Sequence, residues 1–276
     1  MRTVPTVIAL LALLVLYAPV GRDLVAVWRA VPYYSYGMLV PLFSLYLGWD
    51  ARHRWPLAPR PRWPGGLVVA IAGLGVLAVG VRLESLTLTV LSFPVVLAGA
   101  GLFVAGPRGF RPFAFPVAFL ALAAPLPEPA LAALSLPLQH LAAAVTDGVL
   151  SALGIPAYRE GLFIQLTTVR LHISEACNGL RFLLAMVVIG VAFAWAIAAP
   201  PLHRLAVVPL AVAVAIAANL VRVTGTALLA HAWGPEAAGG FFHLAYGKVV
   251  YAAMLVSFVA GVLLLRRRAG EDPHHA

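Results

Sequence analysis

Long apolar runs separated by short polar loops dominate the chain from end to end. Eight such runs, each close to the roughly 20 residues that a helix needs to cross a bilayer, lie at residues 4–20, 31–49, 66–82, 86–105, 113–127, 179–199, 205–222 and 246–265. This pattern predicts an all-α polytopic membrane protein with about eight transmembrane helices embedded in the lipid bilayer.

The segment between the fifth and sixth runs, residues 128–176, departs from this pattern. Residues 129–153 are apolar but interrupted by a proline and several polar residues, which predicts a short re-entrant or interfacial helix. Aliphatic side chains then occupy every second position over 162–166 and 169–173. This alternation predicts a small β-hairpin. We expect this hairpin to deliver Glu175 and Cys177 to the outer rim of the helices.

The amino-acid composition supports a membrane protein and excludes a water-soluble domain and several cysteine-based sites. Hydrophobic residues make up 62% of the chain and charged residues 11%, which no water-soluble globular domain shows. A single cysteine excludes an internal disulfide framework, a four-cysteine zinc site and an iron–sulfur cluster. No metal-binding or phosphate-binding motif occurs, so we expect no metal and no cofactor.

Basic residues indicate how the chain is oriented. The net charge of +9 does not indicate nucleic-acid binding, because the arginines lie in short loops between apolar runs. The loops after the even-numbered runs contain Arg52, Arg54, Arg60, Arg62, Arg108, Arg111, Arg204, Arg266, Arg267 and Arg268. The positive-inside rule therefore predicts that both termini are cytoplasmic.

A polar island at residues 175–181 (EACNGLR) contains the only cysteine and opens the sixth run. A thiol is nucleophilic as the thiolate, and the N-terminus of a helix favours an anion. Gly179 allows close approach of the backbone to a reacting group. Glu175 opposes an anion at Cys177 unless it pairs with a cation, for which Arg181 is the candidate.

Two further polar residues fall at the same predicted outer rim. Arg222 closes the seventh run and His243 precedes the eighth. With Cys177 they supply the nucleophile, the acid/base and the positive group that acyl transfer requires. Asn219 lies three residues before Arg222, on the same face of a helix, and is predicted to orient it. Each of the three also has a simpler explanation when it is taken singly. Cys177 would then be an inert small hydrophobic residue, Arg222 an arginine that extends to the lipid headgroups, and His243 a histidine at the membrane interface.

Several motifs together resemble the exosortase/archaeosortase family of integral-membrane cysteine transpeptidases. The resemblance includes 175–181 (EACNGLR), 219–223 (NLVRV) and 243–247 (HLAYG), and weaker matches at 34–37, 115–127 and 153–161. Asn178 stands where the family more often has Ser, and Tyr36 where it more often has His. The resemblance implies one domain over 1–276, divided into spans one to five (1–127), an outer-face connecting segment (128–176), catalytic spans six to eight (177–265) and a cytoplasmic tail (266–276).

The same resemblance implies roles for individual residues. Cys177 would be the nucleophile, His243 the general acid/base and Arg222 the stabiliser of the oxyanion or thiolate. Asn219, Asn178, Gly179 and Glu175 would support them, and Arg181 and Arg170 would bind substrate.

The implied substrates are exported proteins with a C-terminal sorting tail, made of a short motif such as Pro-Glu-Pro, a membrane helix and a basic cluster. Cleavage would proceed through a thioester on Cys177 in the cytoplasmic (inner) membrane, with the site facing the periplasm or exterior. A link to the exopolysaccharide-biosynthesis machinery is also implied. The alternatives are an archaeal relative with another tail motif, a non-catalytic component of exopolysaccharide export, or a transporter. A transporter should show inverted repeats, and the sequence shows no clear repeat.

Overall fold

The computed structural model describes residues 3–54, 62–167, 169–197, 200–234 and 240–270. These residues form eight α-helices and three short strands. The helices are α1 (Thr3–Ala30), α2 (Leu39–Ala51), α3 (Pro64–Arg82), α4 (Leu86–Phe119), α5 (Glu128–Ala152), α6 (Leu180–Ala196), α7 (Pro201–Trp233) and α8 (Gly240–Gly270). The strands are β1 (Ala157–Glu160), β2 (Phe163–Leu166) and β3 (Arg170–His172).

Most of these helices are long and apolar enough to cross a membrane. By length and composition, six qualify among the described residues: α1, α3, α4, α5, α7 and α8. α6 is a shorter apolar helix, and α2, preceded by a 3₁₀ helix at Pro32–Met38, has 13 residues. The prediction of an all-α polytopic membrane protein is confirmed.

The predicted fourth span and the start of the predicted fifth occur within α4, on either side of Gly106. The fifth span was expected to continue to residue 127, but α4 ends at Phe119 and a 3₁₀ helix follows at Leu120–Ala123. This glycine has φ 69° and ψ 172°, which is not helical, and Pro107 follows it. Proline has no N–H for a helical hydrogen bond, so the helix restarts there at its first turn. The end of the predicted fourth span at residue 105 therefore coincides with a real break in the backbone.

α5 differs from the short re-entrant or interfacial helix that the sequence predicts. It is continuous over 25 residues and contains Pro137 in its interior. Its length and composition would allow it to cross a membrane. The interrupting proline and polar residues therefore do not end the helix, because neighbouring groups can compensate for the hydrogen bond that an internal proline removes.

The predicted hairpin is β2 and β3, which pair antiparallel with Ile164 opposite Leu171. β1, which the sequence pattern does not predict, pairs antiparallel with β2 and completes a three-stranded sheet of order β1-β2-β3. Ile164 and Leu166 of the central strand are buried, so one face of the sheet packs on helices and the other faces outward.

The chain divides into two compact units, Met1–Glu128 and Pro129–Ala276. In the first unit, α3 and α4 pack closely through glycines: an added Cβ at Gly73 or Gly80 would lie 2.7–2.8 Å from atoms of α4. The Tyr17 hydroxyl shares a hydrogen bond of 2.8 Å with Ser92. The single domain over 1–276 stays a prediction; its internal division at 127/128 lies next to the boundary between the units.

The second unit has two separate apolar clusters. The helix cluster joins α6, α7 and α8 and includes Met186, Val207, Ala211, Met254 and Phe258. The sheet cluster joins α5, the sheet and the C-terminal part of α7 and includes Leu150, Ile164, Leu166, Val223 and Ala227. α7 takes part in both because its 33 residues span about 50 Å, which exceeds the roughly 30 Å of a bilayer's hydrocarbon core.

Candidate active site

Cys177 lies in a short loop between the sheet and α6. A 3₁₀ helix at Glu175–Cys177 follows β3, and the Cys177 N–H donates to the Ser174 carbonyl at 2.9 Å. The cysteine is half-buried and packs against the sheet cluster. α6 begins three residues later, at Leu180, so the thiol precedes the first turn of that helix.

Asn178 fixes the loop from inside the protein. Its Oδ1 accepts a hydrogen bond of 2.8 Å from the Leu180 N–H at the start of α6. Its Nδ2 donates to Ser135 Oγ of α5 at 2.6 Å. The residue is only 2% exposed, so both ends of its amide are satisfied by protein groups.

Gly179 and Asn219 are in direct contact. Gly179 has φ +75°, and a Cβ added there would lie 2.5 Å from Asn219 Cγ. Asn219 Nδ2 donates to the Cys177 carbonyl at 3.0 Å. Among the described residues, its buried Oδ1 has no hydrogen-bond partner. That Asn219 orients Arg222 stays a prediction; the bond that the structure shows is from its amide nitrogen to the backbone of the cysteine loop.

Asn219 is the one polar member of a buried stripe along α7. The other buried members recur every four residues, as one face of a helix requires. They are Val207, Ala211, Ala215, Val223 and Ala227. Asn219 therefore lies between the helix cluster and the sheet cluster.

Arg222 lies one turn beyond Asn219 and is half-buried. Its guanidinium stands 5.5 Å from the centre of the Phe182 ring on α6. Its Nε lies 4.0 Å from the position that a Cβ would occupy at Gly247 of α8. Nearby, the Tyr246 hydroxyl donates to the Val221 carbonyl at 2.8 Å. The arginine is thus held between α6 and the start of α8.

His243 is in the first turn of α8, four residues before Gly247. Its backbone is therefore one helical turn from the position that faces Arg222. Its side chain lies outside the part of the chain that the structure describes. The structure brings together the Cys177 loop, Asn219, Arg222 and the beginning of α8.

The two arginines predicted to bind substrate have different surroundings. Arg170 is on the outward face of the sheet, where it pairs with Glu160 at 3.6 Å and stacks 4.3 Å from the Phe163 ring centre. Arg181 is exposed in the first turn of α6, and it makes no ion pair with any described residue, Glu175 included.

Two buried residues of α5 complete the surroundings of the loop and were not predicted. Gln139 Nε2 donates to Ser135 Oγ at 2.7 Å, and the same oxygen accepts from Asn178. The available signal was a pair of polar residues four apart in an apolar helix. A small cavity behind the loop is lined by Asn178, Gly179, Asn219 and apolar residues of α5, α6 and α7. Within the described ranges, no group of three or more His, Cys, Asp or Glu side chains could hold a metal ion.

Comparison with known proteins gives one result that covers most of the chain. The model of the transmembrane exosortase family matches residues 28–265, a range that includes the Cys177 loop, Arg222 and His243. No curated protein and no solved structure gives a significant match. Because the match extends over far more than half of its length, this chain belongs to the transmembrane exosortase family.

Proposed function

We propose that this protein is a membrane-embedded cysteine transpeptidase or protease that cleaves the C-terminal sorting tail of exported proteins. The observation that carries the proposal is the site's construction: the only cysteine of the chain lies in a loop bonded to Asn219, one turn from Arg222. The Asn219 amide fixes the backbone at this residue, which is what the positioning of a reactive group requires. Membership in the exosortase family supports the same function.

The reaction follows from the chemistry of these groups. The Cys177 thiolate attacks the scissile carbonyl and forms a tetrahedral oxyanion, which the Arg222 guanidinium stabilises. The C–N bond breaks, His243 gives the leaving amine the proton that it accepted from the Cys177 thiol, and a thioester on Cys177 remains. Water or an amine then attacks the thioester and gives one proton to His243, the C–S bond breaks, and His243 returns the proton to the Cys177 sulfur. This completes proteolysis or transpeptidation.

α5 packs against the C-terminal part of α7, the part that is close to the cysteine loop. Thr146 of α5 shares a hydrogen bond of 3.1 Å with Thr224, in the C-terminal part of α7. The helix cluster, at the opposite end of α7, contains no α5 residue among its described members. The positive-inside rule puts the arginine-rich loops and both termini in the cytoplasm. The Cys177 loop precedes α6 and Arg204 follows it, so we propose that the cysteine loop lies on the outer face.

Arg181 is the better candidate for binding an acidic residue of the tail. Arg170 already has Glu160 and Phe163 as partners, whereas Arg181 has no ion-pair partner among the described residues. We expect Arg181→Ala to raise the KM for a tail peptide about tenfold, and Arg170→Ala to change it no more than about twofold. Equal KM values in both variants and the wild type would exclude an ion pair with either arginine.

The decisive experiment compares the C-terminal peptides of exported proteins in the native host, between wild type and a chromosomal Cys177→Ala strain. We expect a set of proteins to retain a helix-plus-basic tail only in the mutant. Equal amounts of protein in the membranes of both strains, and restoration by the wild-type gene, are the controls. Identical tails in both strains would remove the proposal and favour a non-catalytic component of exopolysaccharide export or a transporter.

A further inference from the structure

A buried hydrogen-bonded chain connects α5 to the cysteine loop. It runs from Gln139 to Ser135 and on to Asn178, with donor–acceptor distances of 2.7 and 2.6 Å. All three residues are buried. A serine hydroxyl has two acceptor lone pairs, so one oxygen can receive both amide groups.

The direction of the Asn178 amide is determined by its surroundings. Leu180 presents an N–H, which only the oxygen of the amide can accept. The nitrogen of Asn178 must therefore point at Ser135, where it requires an acceptor. Ser135 Oγ is that acceptor, and an apolar residue at position 135 would leave a buried donor unpaired.

The peptide group that follows the nucleophile is thereby held from two sides. α7 binds the Cys177 carbonyl through Asn219, and α5 binds the adjoining Asn178 side chain through Ser135. Because Cys177 and Asn178 share one peptide bond, movement of either anchor would rotate the backbone that carries the thiol. Buried polar groups in membrane proteins are costly and often functional.

We propose that Ser135 and Gln139 are positioning residues that hold the Cys177 thiol in its reactive orientation. The inference rests on the proposed function, since it takes Cys177 as the nucleophile. It assigns to α5, a helix outside the recognised motifs, a direct part in building the site. The competing explanation is that Ser135 only joins helices, as buried polar side chains do in many membrane bundles.

Thr146 provides a matched control for that explanation. Like Ser135, it is a buried hydroxyl residue of α5 that bonds to another element of the same unit, here Thr224. Thr146→Val removes this interaction without touching the cysteine loop. Ser135→Ala removes an interaction of the same kind that ends on the loop.

The test measures alkylation of the full-length protein in membranes by a small maleimide across a pH series, together with processing of a tail substrate. Cys177 is the only thiol of the chain, so labelling reports on it alone. For Ser135→Ala we expect processing to fall about tenfold or more, and the pH profile of alkylation to shift. Gln139→Met should lower processing less than Ser135→Ala does. Ser135→Thr, which keeps a hydroxyl, should have the alkylation profile of the wild type. Processing and alkylation in Thr146→Val should stay within about twofold of wild type.

Two results would overturn the inference: an unchanged alkylation profile in Ser135→Ala, or an equal loss in Thr146→Val. If Ser135→Ala does not accumulate in the membrane, Gln139→Met decides in its place, and wild-type alkylation in that variant overturns the inference. Failure of the proposed function looks different, since a Cys177→Ala strain would then process tails normally, and the alkylation profiles would still decide the positioning role.

Discussion

The two ends of the α6–α7–α8 bundle use the same helices for different purposes. At one end, Gly190 of α6 lies against Ala211 and Phe258 packs edge-on to Phe193, with ring centres 5.4 Å apart. At the other end, α6 begins at a loop held by buried amides, and Asn219 occupies the position in the α7 stripe that alanine occupies at 211. The first end is apolar and close-packed, and the second is polar.

This difference indicates a division of roles within one bundle. Close packing of small and aromatic residues fixes the helices relative to one another without hydrogen bonds. The amides at the polar end then act on a backbone loop whose surroundings are already rigid, which is what positioning of a reactive group requires. Substitutions at the polar end should therefore change reactivity, and those at the apolar end should change stability.

The largest effect is expected from Gly179→Ala. A left-handed backbone costs a non-glycine residue about 1–2 kcal/mol, and the new Cβ would lie 2.5 Å from Asn219 Cγ. The loop must therefore move, and we expect tail processing per folded molecule to fall about 100-fold or more. Gly148→Ala is the control, because nothing lies within 4 Å of a Cβ there. A Gly179→Ala enzyme with normal processing would contradict the claim that this loop is fixed.

An intermediate effect is expected from Asn219→Leu. The substitution removes the hydrogen bond to the Cys177 carbonyl, and we expect processing to fall about tenfold. It leaves the Cys177 carbonyl without this donor but also removes a buried oxygen that has no partner among the described residues. These two effects oppose each other, so the melting temperature in detergent should change little. Thr226→Val, which removes a hydroxyl bonded to the Arg222 carbonyl, serves as the control on the same helix. A lower melting temperature with normal processing in Asn219→Leu would show that Asn219 stabilises the fold rather than positions the cysteine loop.

The smallest effect on reactivity is expected from Phe258→Ala at the apolar end. Phe258 is 1% exposed, and loss of a buried phenylalanine costs about 3–5 kcal/mol of stability. The melting temperature should fall clearly, while the alkylation rate of Cys177 per folded molecule stays within about twofold. Val256→Ala, at an exposed position of α8, is the control for both measurements. A large change in alkylation would show that the two ends are not independent.

The sequence predicts the helices well but misplaces several of their ends. The third run, 66–82, matches α3 at Pro64–Arg82 closely. The seventh run was expected to end at Arg222, yet α7 continues to Trp233, because a rule based on the thickness of a bilayer ignores a helix that extends to cover other elements. β1 was missed because four residues, AYRE, carry little alternation.

The site was predictable only in part, for a related reason. The cysteine, arginine and histidine segments stand out as polar islands in apolar runs. The partners of the cysteine loop do not, because Ser135 lies 43 residues from Asn178, and Asn219 lies 42 residues from Cys177. Spacing within one helix predicts that Asn219 orients Arg222, but that rule considers one helix alone and could not predict the bond from Asn219 to the cysteine loop.

By itself, the sequence determined the membrane class, the approximate spans and the presence of a single thiol among polar neighbours. These properties follow from residue identity and from hydrophobicity, because an apolar segment of about 20 residues is long enough to cross a bilayer. Only the tertiary structure decided that α5 and α7 hold the two sides of the Cys177–Asn178 peptide group. That outcome depends on how each helix is rotated about its axis and which buried amide finds an acceptor, and packing between distant segments determines both.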